Sequence, residues 1–387
     1  MGFIPYSTQD IEADDVAAVT AALTSPFLTQ GPAVPAFEAA FAARHQVPHA
    51  VAMTNATAAL HLSCLALGLG PGGRLWTTPN SFVASANCGL YCGAEVDFVD
   101  IDPVTRNMSV AALEAKLAQG PAPDIVVPVD FAGVPADVAA MRALADRYGF
   151  RILEDASHAT GAERHGRPVG SELADIAVFS FHAVKVVTTG EGGMAVTRDP
   201  ELARRLRSLR SHGITRDPAE FVGEAPGGWH YEQQALGWNV RMTDVQAALG
   251  LSQLRRLEAM QAARERLAAR YDRLLDGLPL LLPARVEGVR SAWHLYVVEV
   301  DEAQTPVSRR ALFDALRAAG IGANLHYAPI HLQPFWRARG FAPGDFPAAE
   351  RYGARALTIP LFPKLTDAQQ DRVVEVLRGA LARAEAA

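Results

Sequence analysis

The amino-acid sequence predicts an α/β protein built on a mostly parallel sheet, with a smaller α+β unit at its C-terminal end. Two observations carry this. From residue 50 onward, short apolar runs alternate with helical stretches. Apolar strands alternating with helices are expected of parallel strands covered on both faces. Glycines in GLGPGGR and DRYGF then close the intervening helices.

The elements follow in order. Residues 10–25 show helical periodicity behind an acidic first turn, which suits the helix dipole. SPFLTQGPAVPAF, with three prolines and a glycine, interrupts it, and a second helix runs to about His45. The runs AVAM, RLWTT, EVDFVD, DIVVPVDF, RILEDA and DIAVFSF predict the strands, with ATAALHLSCLALGL and PADVAAMRALADRYGF as crossover helices. This layer extends to about residue 200. An Arg-rich helix, ELARRLRSLRSHG, leads into a long loop rich in Gly, Pro and aromatics, a length that marks a functional or a disordered segment. Its aromatics argue against disorder. Residues 243–276 predict one long helix bridging a large domain (1–250) and a small C-terminal domain (251–387). The latter holds WHLYVVEV, a helix from about Ser308, IGANLHYAPIH and a final helix from Thr366.

The chain has 387 residues, 49% of them apolar and 20% charged, with a net charge of −6. That composition is globular, and the acidic balance argues against general nucleic-acid binding. Cys64, Cys88 and Cys92 are an odd number without C-x-x-C spacing and read as reduced thiols of a cytoplasmic protein. The N-terminal residues lack the pattern of a signal peptide. No apolar stretch is long enough to span a membrane. The histidines are scattered without metal-ligand spacing, so no metal is expected. G-x-G-x-x-G and G-x-S-x-G turns are absent, which weighs against a dinucleotide site and a serine hydrolase.

Several residues have both a chemical and a structural reading. Lys185, between the apolar run AVFSF and a glycine-rich turn, is either a loop lysine facing water or a buried amine able to form a Schiff base, since burial disfavours the ammonium. Asp155 ends a predicted buried strand, at the sheet edge where ligands of open α/β folds bind. It either caps the next helix or pairs with a cation such as a protonated pyridine nitrogen. His158 is a core histidine or a ring contact. Thr54–Thr57 lie where a strand yields to a helix, and the free N–H groups there, with Thr57 and Ala58 as donors, suit a phosphate. Ser180 could add a hydroxyl to the same anion. Phe82, at the same sheet edge, either packs in the core or stacks on a planar cofactor.

Together these segments resemble the DegT and StrS group of sugar-nucleotide aminotransferases, which are fold-type-I (aspartate aminotransferase-like) pyridoxal phosphate enzymes. FLTQGPAVPAFEAAFA, TNATAALHL, PNSFVASAN, EDASHATGA, SFHAVKVVTTGEGG and GWNVRMTDVQAALGLSQL carry the resemblance over essentially the whole chain. It implies pyridoxal 5'-phosphate as cofactor, with pyridoxamine 5'-phosphate formed in turnover. Lys185 would be the Schiff-base lysine and Asp155 the partner of the ring nitrogen. His158 would lie near the ring hydroxyl and Phe82 against the ring, with phosphate contacts from Thr57, Ala58 and Ser180. Asn239 would reach the phosphate from a neighbouring subunit, making a homodimer with shared active sites.

Within the family, IPYSTQDI, NSFVASANCGLYCGAEVDFVDIDP, FAG, SHGITRDP and YEQQALGWNVRMTD are similar to members acting in pseudaminic acid biosynthesis. This implies transfer of an amino group from L-glutamate, leaving 2-oxoglutarate, to a UDP-linked 4-keto-6-deoxy-N-acetylamino sugar. Tyr6, Phe27, Leu28, Thr29, Ala56, Asn324, Leu325, His326 and Tyr327 would contact that substrate. Competing readings are a GDP- or dTDP-linked ketosugar, a pyridoxamine-dependent sugar dehydratase, and a non-catalytic binding protein; Lys185 argues against the last two. Ala183, Asp130 and Asn55 depart from the family pattern, and a charged Asp130 near the sheet edge would repel a diphosphate unless paired.

Overall fold

The computed structural model describes residues 2–171 and 173–385. After helices α1 (Ala13–Leu23) and α2 (Ala33–Arg44), a seven-stranded sheet forms. Its strands are β1 (His49–Met53), β2 (Arg74–Thr77), β3 (Glu95–Phe98), β4 (Ile125–Val127), β5 (Arg151–Asp155), β6 (Ile176–Ser180) and β7 (Gly193–Thr197). The spatial order is β1-β7-β6-β5-β4-β2-β3. Neighbours from β6 to β3 pair in parallel, whereas β7 runs antiparallel to both β1 and β6. All six expected strands are present. The seventh, GMAVT, was not expected; its glycine-rich lead-in reads as a turn, and only its partners make it a strand.

Alternation along β5 shows how the sheet is covered. Leu153 packs with α3 (Ala56–Ala66) and α4 (Ala84–Tyr91) on one face. Ile152 packs with α5 (Val110–Leu117) and α6 (Val138–Tyr148) on the other. By the two-residue period of a strand, Asp155 lies on the α3–α4 face and Glu154 on the opposite one.

Past α7 (Pro200–Leu209), the long loop contains a two-residue antiparallel pair, Ile214–Thr215 with Glu232–Gln233. The single helix expected over 243–276 is instead two, α8 (Asp244–Arg255) and α9 (Leu257–Leu275). They part at Arg256, whose guanidinium donates to Asp15 at 2.7 Å and also pairs with Asp10. Periodicity along the segment carries no sign of that tether to α1.

The C-terminal part packs α9, α10 (Arg309–Ala318) and α13 (Asp367–Glu385, the last helix after the short α11, Pro334–Arg337, and α12, Pro347–Arg355) around a three-stranded antiparallel sheet. That sheet orders β8 (Leu280–Leu281), β9 (Tyr296–Val300) and β10 (Ala356–Ile359). Its core includes Leu267, Tyr271, Tyr296, Leu312 and Leu377, and also Ile4, which bridges to Ile321. We propose the division at residue 250 from this separate core, with the N-terminal strand segment crossing back onto the small domain. Among the described residues, no helix is long and apolar enough to cross a membrane.

Candidate active site

The ends of β1, β5 and β6 and the start of β7 meet at one edge of the sheet, the edge at which open α/β folds bind ligands. Asp155, the last residue of β5, is buried there with both carboxylate oxygens engaged. The Ser157 N–H donates to Oδ1 at 3.1 Å. The Ser85 hydroxyl donates to Oδ2 at 2.6 Å, a length typical of a charge-assisted bond.

Three residues further on, His158 is buried with both ring nitrogens paired. Its Nδ1 accepts from the Ala132 N–H at 3.2 Å, which leaves the proton of the neutral ring on Nε2, facing the Tyr327 hydroxyl at 3.2 Å. Burial, with Lys185 and His326 nearby, holds His158 well below the usual histidine range, so the ring is neutral at pH 7. Tyr327 in turn lies 6.4 Å from the ring of Phe82, which is 58% exposed and therefore free to cover a planar group. His326, buried and pushed down to about 4, bonds Thr358 Oγ1 at 2.8 Å and lies 5.4 Å from the ring of Tyr6.

Lys185 stands apart from the other cations. The chain has only three lysines, Lys116, Lys185 and Lys364. Lys116 is bound to Asp97 and the Phe98 carbonyl, and Lys364 pairs with Asp10. Lys185 forms no ion pair among the described residues. Burial lowers its pKa to about 8, opposed by the field of Asp155. The amine is thus partly neutral near physiological pH. Because a carbonyl condenses only with the neutral amine, cofactor uptake by the apoprotein should rise about tenfold per pH unit below pH 8 and level off above it. Stopped-flow absorbance after mixing with pyridoxal phosphate measures this; a rate flat from pH 6 to 9 would contradict it.

A cup for an anion lies beside these groups. Asn55 caps α3, its side chain accepting from the Ala58 N–H at 2.8 Å. Ala58, expected as a free donor, therefore has its N–H already paired. Among the described residues nothing accepts from the Ala56 or Thr57 N–H, so these two remain as donors. Ser180, buried at the end of β6, pairs with Gly193, and a Cβ on Gly193 would fall 2.5 Å from the Asn55 carbonyl carbon and 2.6 Å from the Ala56 nitrogen. Only glycine lets the helix start approach the Ser180 strand end this closely. Gly193→Ala should push α3 outward, cost about 1–3 kcal/mol as overpacking does, and weaken cofactor binding in the same direction. Thermal unfolding and cofactor titration measure both, and wild-type values in each would count against the cup.

The structure does not bring all the expected residues together. Phe27, Leu28 and Thr29 are exposed and anchored to the start of α8: the Leu28 carbonyl accepts from the Asp244 N–H, and Thr29 bridges Thr243. Asn239 is exposed, with its backbone bridged to Ser211, and touches none of the cluster within the chain. Ala56 opens α3 at the anion cup, while Asn324 and Leu325 flank His326, with Asn324 bridged to Thr358.

Asp130 requires correction. It is fully buried, its Oδ1 accepts from the Ala136 N–H at 2.8 Å, and burial together with Glu154 raises its pKa well above the carboxylate range. Burial thus disfavours the charge that would repel a diphosphate.

Sequence reasoning missed Ser85, Gly193 and His294. The His294 ring lies 4.4 Å from that of His158. Ser81 and Ser85 are one helical turn apart in PNSFVASAN, and the scarcity of lysine was countable; either signal was available in the sequence.

A sheet of this order, with a partly neutral lysine and a strand-end carboxylate at one edge, suits pyridoxal 5'-phosphate, and comparison with known proteins gives the class, an aminotransferase that uses it. Residues 9–378 match the DegT/DnrJ/EryC1/StrS aminotransferase family, and the chain belongs to it. It is 41% identical over 379 residues to the spore coat polysaccharide biosynthesis protein SpsC of Bacillus subtilis (strain 168), covering 97% of this chain and 96% of that one. Among solved structures it resembles Spr1654 of Streptococcus pneumoniae in its PMP-form, at 30% identity and TM-score 0.90 over 98% of this chain and 100% of the other. It resembles equally Helicobacter pylori PseC, an aminotransferase of pseudaminic acid biosynthesis, at 30% identity, TM-score 0.90 and the same coverages. The chain is a sugar aminotransferase of this family.

Proposed function

We propose that the protein transfers the amino group of L-glutamate to a UDP-linked 4-keto-6-deoxy-N-acetylamino sugar, the activity of a UDP-4-amino-4,6-dideoxy-N-acetyl-β-L-altrosamine transaminase. The observation that carries the chemistry is Lys185, the one lysine without an ion pair among the described residues, its amine depressed to about 8 and within the field of buried Asp155. When bound, pyridoxal phosphate supplies a carbonyl that accepts an amino group and a ring that takes up electron density from the substrate carbon.

The chain's own residues do the rest. The Asp155 carboxylate holds a proton on the ring nitrogen. Lys185 would hold the carbonyl group through its neutral amine, and the same amine would serve as the base and acid for the proton at the substrate carbon. The free Ala56 and Thr57 N–H groups at the α3 start, with Ser180, would hold the phosphate, and the missing Cβ of Gly193 lets that helix start approach the Ser180 strand end. His158, neutral and fixed by Ala132 and Tyr327, lines the ring, and Phe82 covers its face. Tyr6, Ala56 and Asn324–Tyr327 would contact the sugar nucleotide, while Phe27, Leu28 and Thr29, anchored at the start of α8, lie apart from them within the chain. The exposure of Asn239 supports its reaching the phosphate of a second subunit in a homodimer. Three free, buried thiols support a reducing, cytoplasmic setting.

The likeness to PseC supports the UDP-linked acceptor. The higher identity to SpsC favours a second reading, in which the aminated sugar belongs to a surface polysaccharide. Incubating the protein with glutamate and a panel of UDP-, dTDP- and GDP-linked 4-ketosugars, read by mass spectrometry, separates these. An aminosugar formed only from the UDP substrate supports the first reading, and one formed only from a dTDP- or GDP-linked sugar overturns it.

A further inference from the structure

We infer that Ser85 and Ser81 form a hydroxyl relay that orients the Asp155 carboxylate, making Ser85 a positioning residue for the proton on the cofactor ring. The inference rests on the assignment of Asp155 to the ring nitrogen.

The argument is a count of protons. The Ser85 Oγ lies 2.6 Å from Asp155 Oδ2 and 2.6 Å from the Ser81 Oγ, and all three residues are buried. An ionised carboxylate only accepts, so the single Ser85 proton points to Asp155. The bond between the serines must then be donated by Ser81. The chain Ser81 to Ser85 to Asp155 is thereby directional, and each bond polarises the next. The Phe82 carbonyl, 3.4 Å from the Ser85 Oγ, is a far poorer acceptor for that proton.

The consequence lies in where a shared proton rests. A carboxylate facing a pyridine nitrogen keeps the proton on the ring only while its own basicity is lower. Hydrogen bonds favour the charged form of the carboxylate that accepts them, and Asp155 accepts two, from the Ser85 hydroxyl and from the Ser157 N–H. Removing the stronger one moves the proton toward the carboxyl and leaves the ring a weaker electron sink. The entry into α4 makes the relay possible: Ser85 lies in its first turn, and the bend just ahead of the helix brings the Ser81 hydroxyl back to it. A hydroxyl that merely capped the helix start would need no carboxylate at 2.6 Å.

The test loads wild-type and variant holoenzymes with pyridoxal phosphate labelled with 15N in the ring and reads that nitrogen by NMR, alongside kcat and KM for glutamate. Ser85→Ala should displace the resonance from its protonated toward its neutral position. It should lower kcat about tenfold, the scale of a hydrogen bond to a charged group, with KM within about twofold. Ser85→Thr, which keeps the hydroxyl, should restore both. Ser81→Ala should shift the resonance less, in the same direction, and decides the matter if Ser85→Ala does not fold. Unchanged resonance and kcat in the alanine variants would overturn the relay. Asp155→Asn in the same series separates the two assignments. If it shifts the resonance while the serine variants do not, the relay alone is wrong. If it too leaves the resonance in place, the Asp155 assignment is wrong.

Discussion

Lys185→Ala abolishes steady-state transamination and the visible absorption of the bound cofactor, while the protein folds and Lys116 and Lys364 remain. The expected loss is on the order of 10⁴-fold or more, because one amine both binds the carbonyl and transfers the proton. No other lysine can substitute: Lys116 is held by Asp97 and the Phe98 carbonyl, and Lys364 by Asp10. Lys185 is half-buried in a loop, so its truncation leaves no core cavity. Spectra and initial rates measure the effect, and retained turnover would refute the role.

Asp155→Asn gives the second largest effect. Asparagine is close to isosteric and can still accept from the Ser157 N–H, but it carries no charge to hold a ring proton. Breaking a buried charge pair costs about 3–5 kcal/mol, or roughly 10²–10⁴-fold in rate. The phosphate contacts lie on other elements, so the variant still binds cofactor. Near-normal kinetics in a cofactor-loaded variant would count against the pyridinium assignment.

How much of this was legible follows from what kind of signal each feature has. β1 to β6 were legible because most are short apolar runs set off by helices or turns. β7 was not, since its residues after the glycine turn become a strand only through pairing with β1 and β6 on either side. The break at Arg256 was hidden because its cause is Asp15, 241 residues away in sequence. In the site, Asp155 and Lys185 stand at strand ends that the sequence marks. The charge state of Asp130 and the pairing of His158 depend on burial and on partners from other elements. The paired Ala58 N–H reflects the Asn55 cap, visible in the sequence as a residue and only in the structure as a bond.

Borohydride reduction of the native holoenzyme, followed by digestion and peptide mass spectrometry, fixes the covalently bound cofactor to a single residue. A pyridoxyl group on the peptide containing His182–Gly190, at Lys185 alone, is the predicted result. Label on Lys116 or Lys364 instead, or on no lysine of a cofactor-loaded, active enzyme, would contradict it.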